Sequence, residues 1–488
     1  MVTPSSPQAR RVTAVFLAAI TLYFAAQIVL RLVLGGALET DEAEMMVMTP
    51  GFQLGYGPQL PLYNWLQVAL SAVFGKSLFA LAILKNTLLW LTYLLVFLGL
   101  RLWVPASLAA IGALSLFILP DVAWEAQRAT THSNMLLATC AATLAAFLWV
   151  LKSGRWAAYV ALGVAIGLGG LAKYNFWLVP VGLFVAGVTV EQLRPRLIAA
   201  RTAVVPVIAA AIVALPYAWM FQNPTLAFSS TSKLAMEEVE KSFSFDGLIA
   251  LIGAMAILAV LPALVAAGIY LFNRRHVSDA INPANLTTLL WRASALLAAV
   301  LVVGVAAAGV GHITPRWLLP LFFLAVPALF IDVFGRLNGH GQRAFSVVVA
   351  VIAVAVLVGL AFDRNKPTAR RAVDFTGLPA QLQEIAPMNT TPVIAEFFVA
   401  GNLARQEPDW RVAPYLGFAG PDFAGETVLF LFRKNIPPNL RAGMRQTGWP
   451  EGAEGEILQE GRIILPYDSG PEKMLKLDYK LVKTPALP

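Results

Sequence analysis

The stretch "GGALETDEAEMMV", residues 35–47, follows directly on the apolar run 12–34. That run is long enough to cross a bilayer, which takes about 17 to 25 apolar residues. It is too long to be a removable signal peptide, and it lacks the small-residue cleavage site of one. We therefore expect it to remain as an anchor. The stretch carries four carboxylates within six residues, namely Glu39, Asp41, Glu42 and Glu44. The sequence therefore predicts an acidic loop directly after a membrane helix.

The composition defines the class of protein. Of the 488 residues, 58% are hydrophobic and 13% are charged. Such a chain has too few polar residues to cover a soluble globule, so we predict a polytopic α-helical membrane protein. The net charge of +8 indicates basic cytoplasmic loops and no nucleic-acid partner. The single cysteine, Cys140, lies in an apolar run, which excludes an intrachain disulfide and a cysteine zinc cluster.

Apolar runs of spanning length predict about eleven transmembrane helices. They are residues 12–34, 78–100, 105–122, 133–151, 156–172, 174–190, 202–221, 247–271, 288–310, 317–334 and 344–362. An N-terminus on the inside places basic residues outside the spans, such as Arg10, Arg194 and Arg336, on the cytoplasmic side. Loop acids such as Asp121 and Glu125 then lie on the outer side, where we expect the chemistry.

Three regions outside the spans have distinct characters. In the first outer loop, residues 35–77, "LPLYNWLQVALSAVF" predicts an amphipathic helix along the interface, with Tyr63 and Trp65 as interfacial aromatics. Residues 222–246 are long for a connection and predict a flexible outer loop. After a membrane domain of residues 1–362, β-prone runs such as "TPVIAEFF", "ETVLFLFRK" and "GRIILPY" predict a small soluble α/β domain, residues 363–488, on the outer face.

A second motif brings further charges to the outer face. The segment "LPDVAWEAQRATTHSN" contains Asp121, Glu125, Arg128 and His132. A solvated acidic loop and a capping or packing histidine are the plain alternatives. In company with Asp41 and Glu42, His132 is a candidate metal ligand or acid/base partner.

Two cations lie where few lysines or arginines are expected. In "GLGGLAKYNF", Lys173 stands between two apolar runs, which indicates a functional site or an ion pair with a carboxylate such as Glu125. In "GHITPRWLLPL", Arg316 lies at the outer end of a span beside His312 and Trp317, where snorkelling to the interface is the alternative. Two cations facing several carboxylates favour a site with a phosphate on one side and a base on the other.

The motifs together resemble a known family. "ETDEAE", "LGYGPQLPLYNWLQVALSAVFG", "WEAQRATTH", "GLGGLAKYNF" and "PRWLLPL", in this order, resemble the bacterial family 39 glycosyltransferases of the GT-C superfamily. This family is related to protein O-mannosyltransferases and to the aminoarabinose transferases of lipid A. The resemblance covers about residues 1–362. The "DEAE" and "GYGPQLPLYNWL" versions are most similar to galacturonosyltransferases that decorate rhizobial lipopolysaccharide core and lipid A.

The resemblance implies a reaction and a place for it. Such enzymes move a sugar, here expected to be galacturonic acid, from a polyprenyl-phosphate donor to an acceptor hydroxyl, with inversion. The implied acceptor is lipopolysaccharide core or lipid A, at the periplasmic face of the bacterial inner membrane. Residues 222–246 would then form a flap over the donor lipid. A transporter or flippase of lipid-linked sugar is the alternative, but it predicts charges in the middle of several helices, whereas here they lie at span ends.

The resemblance also implies roles for individual residues. Asp41 matches the acidic position of the family motif and is the expected general base, with Glu42 as the neighbour that binds a metal or shares the proton. Lys173 and Arg316 are expected to hold the donor phosphate. A divalent metal ion is an open question, with Asp41, Glu125 and His132 as its first candidate ligands.

Sugar or acceptor contacts are expected from Tyr56, Gln59, Tyr63 and Arg128, with interfacial anchoring as the alternative for the tyrosines. One departure limits the resemblance. The aminoarabinose enzymes carry a Glu-Lys pair where this chain has Pro58 and Gln59, so no metal or phosphate contact of that pair transfers to this sequence.

Overall fold

The structure is a computed structural model of the full chain. It describes residues 6–486 except 229–244, 274–283, 309, 311, 338, 368, 416–422, 434–443, 445–448, 450–454, 469 and 471. Most of the predicted flap, residues 222–246, therefore lies outside the described residues.

Helices make up the first three quarters of the chain. They are α1 (Pro7–Leu34), α2 (Thr40–Val47), α3 (Leu62–Phe74), α4 (Leu78–Leu100), α5 (Ala106–Leu114), α6 (Ala126–Arg128), α7 (His132–Ser153), α8 (Trp156–Gly170), α9 (Leu178–Thr189), α10 (Arg194–Leu197), α11 (Val204–Gln222), α12 (Pro224–Ala227), α13 (Phe245–Asn273), α14 (Ala284–Ala308), α15 (Leu319–Phe334) and α16 (Gly339–Arg364). Short 3-10 helices precede α9, α11 and α15, at Tyr174–Trp177, Ala200–Ala203 and Pro315–Leu318.

Within the described residues, eight helices are long and apolar enough to cross a membrane, or nine if one bent pair counts as a span. The predicted spans 156–172 and 174–190 correspond to Trp156–Gly170 and Tyr174–Thr189, which are helical and apolar but shorter. The multi-pass α-helical architecture is thus confirmed, and the number eleven stays a prediction. The bundle core lies among α4, α5, α7 and α15, where Phe97, Leu144 and Phe323 are buried.

The bent pair changes the prediction for residues 105–134. Ala106–Ile118 and Asp121–Arg128 meet at 81°, so the segment predicted as a span followed by a loop is a broken helix. Pro120, which lacks a backbone N–H and favours a helix start, stands at the break. The five residues Asp121–Glu125 form a π-helical turn, a geometry that widens the helix and is common at functional sites.

The C-terminal region forms a small α/β domain, as predicted. Its strands are β1 (Val393–Ala395), β2 (Val412–Pro414), β3 (Thr427–Arg433), β4 (Glu456–Pro466) and β5 (Met474–Lys483), and its helices are α17 (Leu378–Ile385) and α18 (Phe397–Gln406). Among the described residues the sheet order is β2-β1-β3-β5-β4. β1 is parallel to β2 and β3, whereas β5 is antiparallel to β3 and β4. β3 is central, so its middle residues are all buried, while the edge strand β4 is mostly exposed.

Candidate active site

The acidic segment forms α2, directly after a glycine turn. Gly35 and Gly36 have φ values of 51° and 76°, which glycine adopts at little cost and which reverse the chain after α1. Glu39 and Glu42 then form a capping box at the start of α2. Each side chain accepts a hydrogen bond from the other residue's backbone N–H, so the helix end is satisfied locally. This arrangement fixes the first turn of α2, in which Asp41 lies.

Glu42 is buried in an ion cluster. Its carboxylate accepts from Arg31 Nη2 at 2.9 Å, from Lys85 Nζ at 2.9 Å and from Arg371 Nη2 at 3.4 Å. The Glu42 side chain is 2% exposed, and Arg31 and Lys85 are almost as inaccessible. The three cations come from α1, α4 and the segment after α16, so one carboxylate joins three parts of the fold.

The pKa values of the two capping acids move in opposite directions. Burial on its own raises the pKa of Glu42, but the charges of Arg31, Lys85 and Arg371 outweigh burial and hold the pKa well below its usual value. Burial raises the pKa of Glu39, and Arg371 and Arg128 offset that only in part. Glu42 is therefore a fixed anion at neutral pH and is poorly suited to accept a proton.

Asp41 has a different environment from its neighbour. Its Oδ2 lies 3.8 Å from Nη1 of Arg316, and the two side chains are 31% and 40% exposed. Arg316 belongs to the short helix before α15, so the structure brings together the predicted base and one predicted phosphate ligand. This pair is accessible to a substrate, unlike the cluster around Glu42.

The second predicted phosphate ligand lies on the same side. Lys173 follows the end of α8, and its Nζ donates to Ser133 Oγ at 2.9 Å. Asp121, at the start of the π-helical turn, interacts electrostatically with both Arg316 and Lys173. Asp121 is therefore close enough to feel the charge of both cations.

Arg128 is committed to carboxylates. It donates to Glu125 from Nη2 at 2.9 Å and from Nε at 3.1 Å, and its Nη1 lies 3.4 Å from Glu39 Oε1. The alternative partner proposed for Lys173, Glu125, is thus paired with Arg128. Arg128 is about one-third exposed, which leaves part of the guanidinium accessible for a sugar contact.

The three candidate metal ligands are not grouped. The described residues contain no set of three His, Cys, Asp or Glu side chains placed to hold a metal ion. Both ring nitrogens of His132 lie at hydrogen-bond distance from side chains, Nε2 from Asn64 Oδ1 at 2.9 Å and Nδ1 from Thr131 Oγ1 at 3.2 Å. With Glu125 held by Arg128 and Asp41 facing Arg316, this donor set does not fit a metal in the described arrangement.

The remaining predicted contacts lie beneath and beside α2. The Tyr56 hydroxyl donates to Gly51 O at 2.5 Å and accepts from Gln53 N at 2.9 Å, so it orders its own loop. Gln59 Nε2 donates to Glu44 Oε1 at 3.3 Å. These contacts tie the predicted sugar-binding loop to the acidic helix.

Tyr63 is placed differently from the interfacial anchor considered as an alternative. It is fully buried, and its ring lies 5.2 Å from that of His132. Burial and the nearby carboxylates of Glu42 and Asp41 raise the pKa of its hydroxyl. Within the described residues this hydroxyl has no hydrogen-bond partner. Tyr63 is therefore a neighbour of both acids rather than a membrane anchor.

A small cavity adjoins the ion cluster, between α1, α4 and α16. Its lining includes Gln27, Arg31, Lys85, Asn86 and Arg371. It has room for about one water molecule, which is too little for a sugar. The substrate site is consequently better placed on the accessible side of Asp41.

Sequence reasoning did not single out the three cations around Glu42. One signal was available, since Lys85 is a lone charge within the apolar run 78–100, and such a residue indicates a functional or paired site. Arg371 carried no local signal, because it lies 329 positions from Glu42 along the chain.

The fold has solved counterparts in one class of enzyme. ArnT from Cupriavidus metallidurans matches with a TM-score of 0.57 in its apo state and 0.56 bound to undecaprenyl phosphate, at 16% and 15% identity. These matches cover 97% and 96% of this chain and 98% and 97% of the ArnT chains. The arabinofuranosyltransferase AftD from Mycobacteria matches at a TM-score of 0.50 and 13% identity, over 95% of this chain and 40% of its own. The fold is that of GT-C glycosyltransferases.

Relatives in sequence identify a family within this class of enzyme. The model of the dolichyl-phosphate-mannose-protein mannosyltransferase family matches residues 57–221. The lipopolysaccharide core galacturonosyltransferases RgtA and RgtB of Rhizobium johnstonii are 33% and 30% identical, over 92% and 93% of this chain and 93% and 94% of their own lengths. This chain belongs to the family of these rhizobial lipopolysaccharide core galacturonosyltransferases. It is a membrane glycosyltransferase, which confirms the predicted family and class of enzyme and leaves the transporter alternative without support.

Proposed function

We propose that this enzyme transfers a galacturonosyl residue from a polyprenyl-phosphate donor to a hydroxyl of lipopolysaccharide core or lipid A, with inversion at the anomeric carbon. The observation that carries the proposal is the accessible pair of Asp41 and Arg316, 3.8 Å apart. A base for the acceptor and a cation for the leaving phosphate are what this displacement needs side by side. The names of the two rhizobial relatives support the sugar and the acceptor, and ArnT with bound undecaprenyl phosphate supports the donor.

In the proposed reaction, the acceptor hydroxyl oxygen attacks the anomeric carbon while the bond from that carbon to the donor phosphate oxygen breaks. Asp41 takes the proton of the hydroxyl. The electron pair of the broken bond stays on the lipid phosphate, whose added negative charge is stabilised by Arg316 and Lys173. A phosphate leaves readily without protonation, so no separate acid is required.

Asp41 is a better base than Glu42 for two reasons. Glu42 is inaccessible, and its carboxylate is held by three cations, so a proton on it is strongly disfavoured. We propose that Glu42 holds α2 in place, in contrast to the metal or proton-sharing role implied by the family resemblance. No step is assigned to a metal ion, because Asp41, Glu125 and His132 are engaged separately.

Arg128, Gln59 and the Tyr56 loop border α2 and are the proposed contacts for the sugar or the acceptor. Arg128 is the strongest of these, since its guanidinium is partly accessible and galacturonate carries a carboxylate. We further propose that the site and the α/β domain face the periplasm from the inner membrane, as the distribution of basic residues favours. The donor's lipid tail then stays in the bilayer while its phosphate reaches Lys173 and Arg316.

The test is transfer in vitro with purified protein, polyprenyl-phosphate galacturonate and lipopolysaccharide acceptors. Wild type is expected to form product with an inverted anomeric centre, detected by NMR of the isolated glycan. Asp41→Asn is expected to form almost none, while Asp409→Asn, an exposed aspartate of the α/β domain, keeps wild-type activity. Transfer of a different sugar in preference to galacturonate would contradict the proposed substrate, and an active Asp41→Asn enzyme would contradict the proposed base.

A further inference from the structure

The α/β domain lies directly against the acidic helix. Helix α18 packs on α2, and the two backbones lie close together where Gly401 faces Ala43. A Cβ added at Gly401 would collide with the backbone of Ala43. Because the colliding atoms are backbone, no side-chain rotation relieves the contact. Gly401 thus allows a close approach two residues from Asp41.

Asn402, the next residue of α18, grips the segment that leads into α2. Its Oδ1 accepts from Leu38 N at 2.7 Å, and its Nδ2 donates to Leu38 O at 3.3 Å. The same Nδ2 donates to Phe398 O at 2.7 Å, one turn back in α18. Asn402 is 3% exposed, so water does not readily replace these bonds.

Further contacts from the same domain reach both sides of this grip. Arg405 Nη1 donates to Gly36 O at 2.9 Å, and Arg370 Nη1 donates to Thr40 Oγ1 at 3.0 Å. Ala37 belongs to the hydrophobic core of the α/β domain, and Phe397 packs on the core beneath α2. The segment before Asp41 is therefore held by the α/β domain at nearly every residue from 36 to 40.

We propose that the α/β domain positions the base of the reaction, with Gly401 and Asn402 as its positioning residues. This inference rests on the proposed function, in which Asp41 is that base. Neither residue has to contact the substrate. They act by setting the distance and the angle between Asp41 and the acceptor hydroxyl held over the membrane domain.

A positioning role predicts a particular kinetic signature. The proposed donor phosphate ligands, Lys173 and Arg316, belong to the membrane domain, where Lys173 donates to Ser133 of α7. A shift of α2 therefore moves the proton acceptor away from its hydroxyl while the elements that carry Lys173 and Arg316 stay in place. Displacements of about 1 Å at a reacting group cost as much as about 100-fold in rate.

The test compares three glycine substitutions in the full-length enzyme. Gly401→Ala moves α18 away from α2, although alanine is the better helix former. Gly377→Ala, in the same domain, and Gly268→Ala, in α13, are matched controls, because an added Cβ meets only an ordinary contact at Gly377 and nothing within 4 Å at Gly268. Asn402→Ala removes the grip on Leu38 without any collision, and it serves if Gly401→Ala does not fold.

The expected result is a fall in kcat of about 10- to 100-fold for Gly401→Ala and Asn402→Ala. The KM for the donor is expected to stay within about twofold and both controls fully active, while the thermal midpoints of the two variants fall moderately because buried backbone groups of Leu38 lose their partner. Unchanged kcat in both variants overturns the inference. So does a parallel loss of kcat, donor affinity and thermal stability, which would mean that α18 is only structural.

Asp41→Asn in the same assay separates this inference from the proposed function. An active Asp41→Asn enzyme overturns the assignment of the base and the inference with it. An inactive Asp41→Asn enzyme beside a fully active Gly401→Ala enzyme overturns the inference alone.

Discussion

Asp41 and Glu42 are consecutive residues of α2, yet their side chains reach two very different regions of the molecule. Glu42 points into the interior, where Arg31, Lys85 and Arg371 contact its nearly inaccessible carboxylate. The Asp41 side chain is 31% exposed and faces Arg316, which is 40% exposed. Successive residues of a helix are about 100° apart, so two adjacent carboxylates can be given separate tasks. The difference is the basis for proposing the accessible acid as the base and the interior acid as a stabiliser of α2.

The sharpest test of this contrast is Asp41→Asn. We expect kcat to fall about 100- to 10,000-fold, the range for removal of a general base, with little change in thermal midpoint because the side chain is partly exposed. Transfer assays and thermal unfolding in detergent measure the two quantities. A large loss of stability would show that Asp41 is structural as well and would remove the contrast.

Glu42→Gln is expected to have the opposite profile. The amide removes the negative charge that Arg31, Lys85 and Arg371 share. Breaking a buried ion cluster in this way costs about 3–5 kcal/mol of stability. Unfolding in denaturant measures the loss. Glu125→Gln is the matched control, since its carboxylate pairs with Arg128 at an accessible site, and such pairs contribute at most about 1 kcal/mol. Equal effects for the two substitutions would be evidence against the buried cluster.

Arg316→Lys tests the accessible side more gently. The lysine keeps the positive charge but loses the planar fork that binds two phosphate oxygens at once. We expect kcat/KM for the donor to fall about tenfold, with wild-type stability. Arg292→Lys serves as the control, because Arg292 is exposed and its Nη1 donates to the backbone oxygen of Thr189. A fall no greater than that of the control would remove Arg316 from the proposed phosphate site.

The smallest expected effect is on how the thermal midpoint changes as the pH falls. The pKa of Glu42 is lower in the folded protein than its value of about 4.3 in an unfolded chain. Its contribution to stability is therefore full above that value and is lost as the pH falls through the lower folded pKa. Thermal midpoints measured from neutral to acid pH should decline for wild type and decline less for Glu42→Gln. Parallel curves for the two proteins would contradict the lowered pKa.

Much of the fold was predictable because it depends on local patterns. Apolar length identified the eight described helices that are long and apolar enough to cross a membrane, and the runs at "TPVIAEFF", "ETVLFLFRK" and "GRIILPY" overlap β1, β3 and β4. The run that forms β5, Met474–Lys483, was not singled out although its apolar residues alternate with charged residues, which is the signal of a half-buried strand. The break at Pro120 was not predicted, because the charged residues that follow it favoured a loop rather than a second helix.

The candidate site was predictable only in part, for a related reason. Asp41, Lys173 and Arg316 stand out locally, as charges at the ends of apolar runs. The partners of Glu42 do not, since Lys85 and Arg371 lie 43 and 329 positions away in sequence. The contact of α18 with α2 has the same long-range character. Sequence patterns indicate which residues are unusual, and tertiary packing decides which of them meet. The roles assigned to the individual site residues stay predictions.

The wide sequence separation within the Glu42 cluster has a consequence for how the enzyme is made. Chains are synthesised and begin to fold from their N-terminus, so Arg31 and Lys85 are made early, while Arg371 and α18 are made much later. Until they arrive, the carboxylate of Glu42 lacks one of its cations and the segment before Asp41 lacks its grip. A nascent chain therefore holds an incomplete ion cluster while its first helices insert, and the proposed catalytic centre is completed only after Arg371 and α18 have folded.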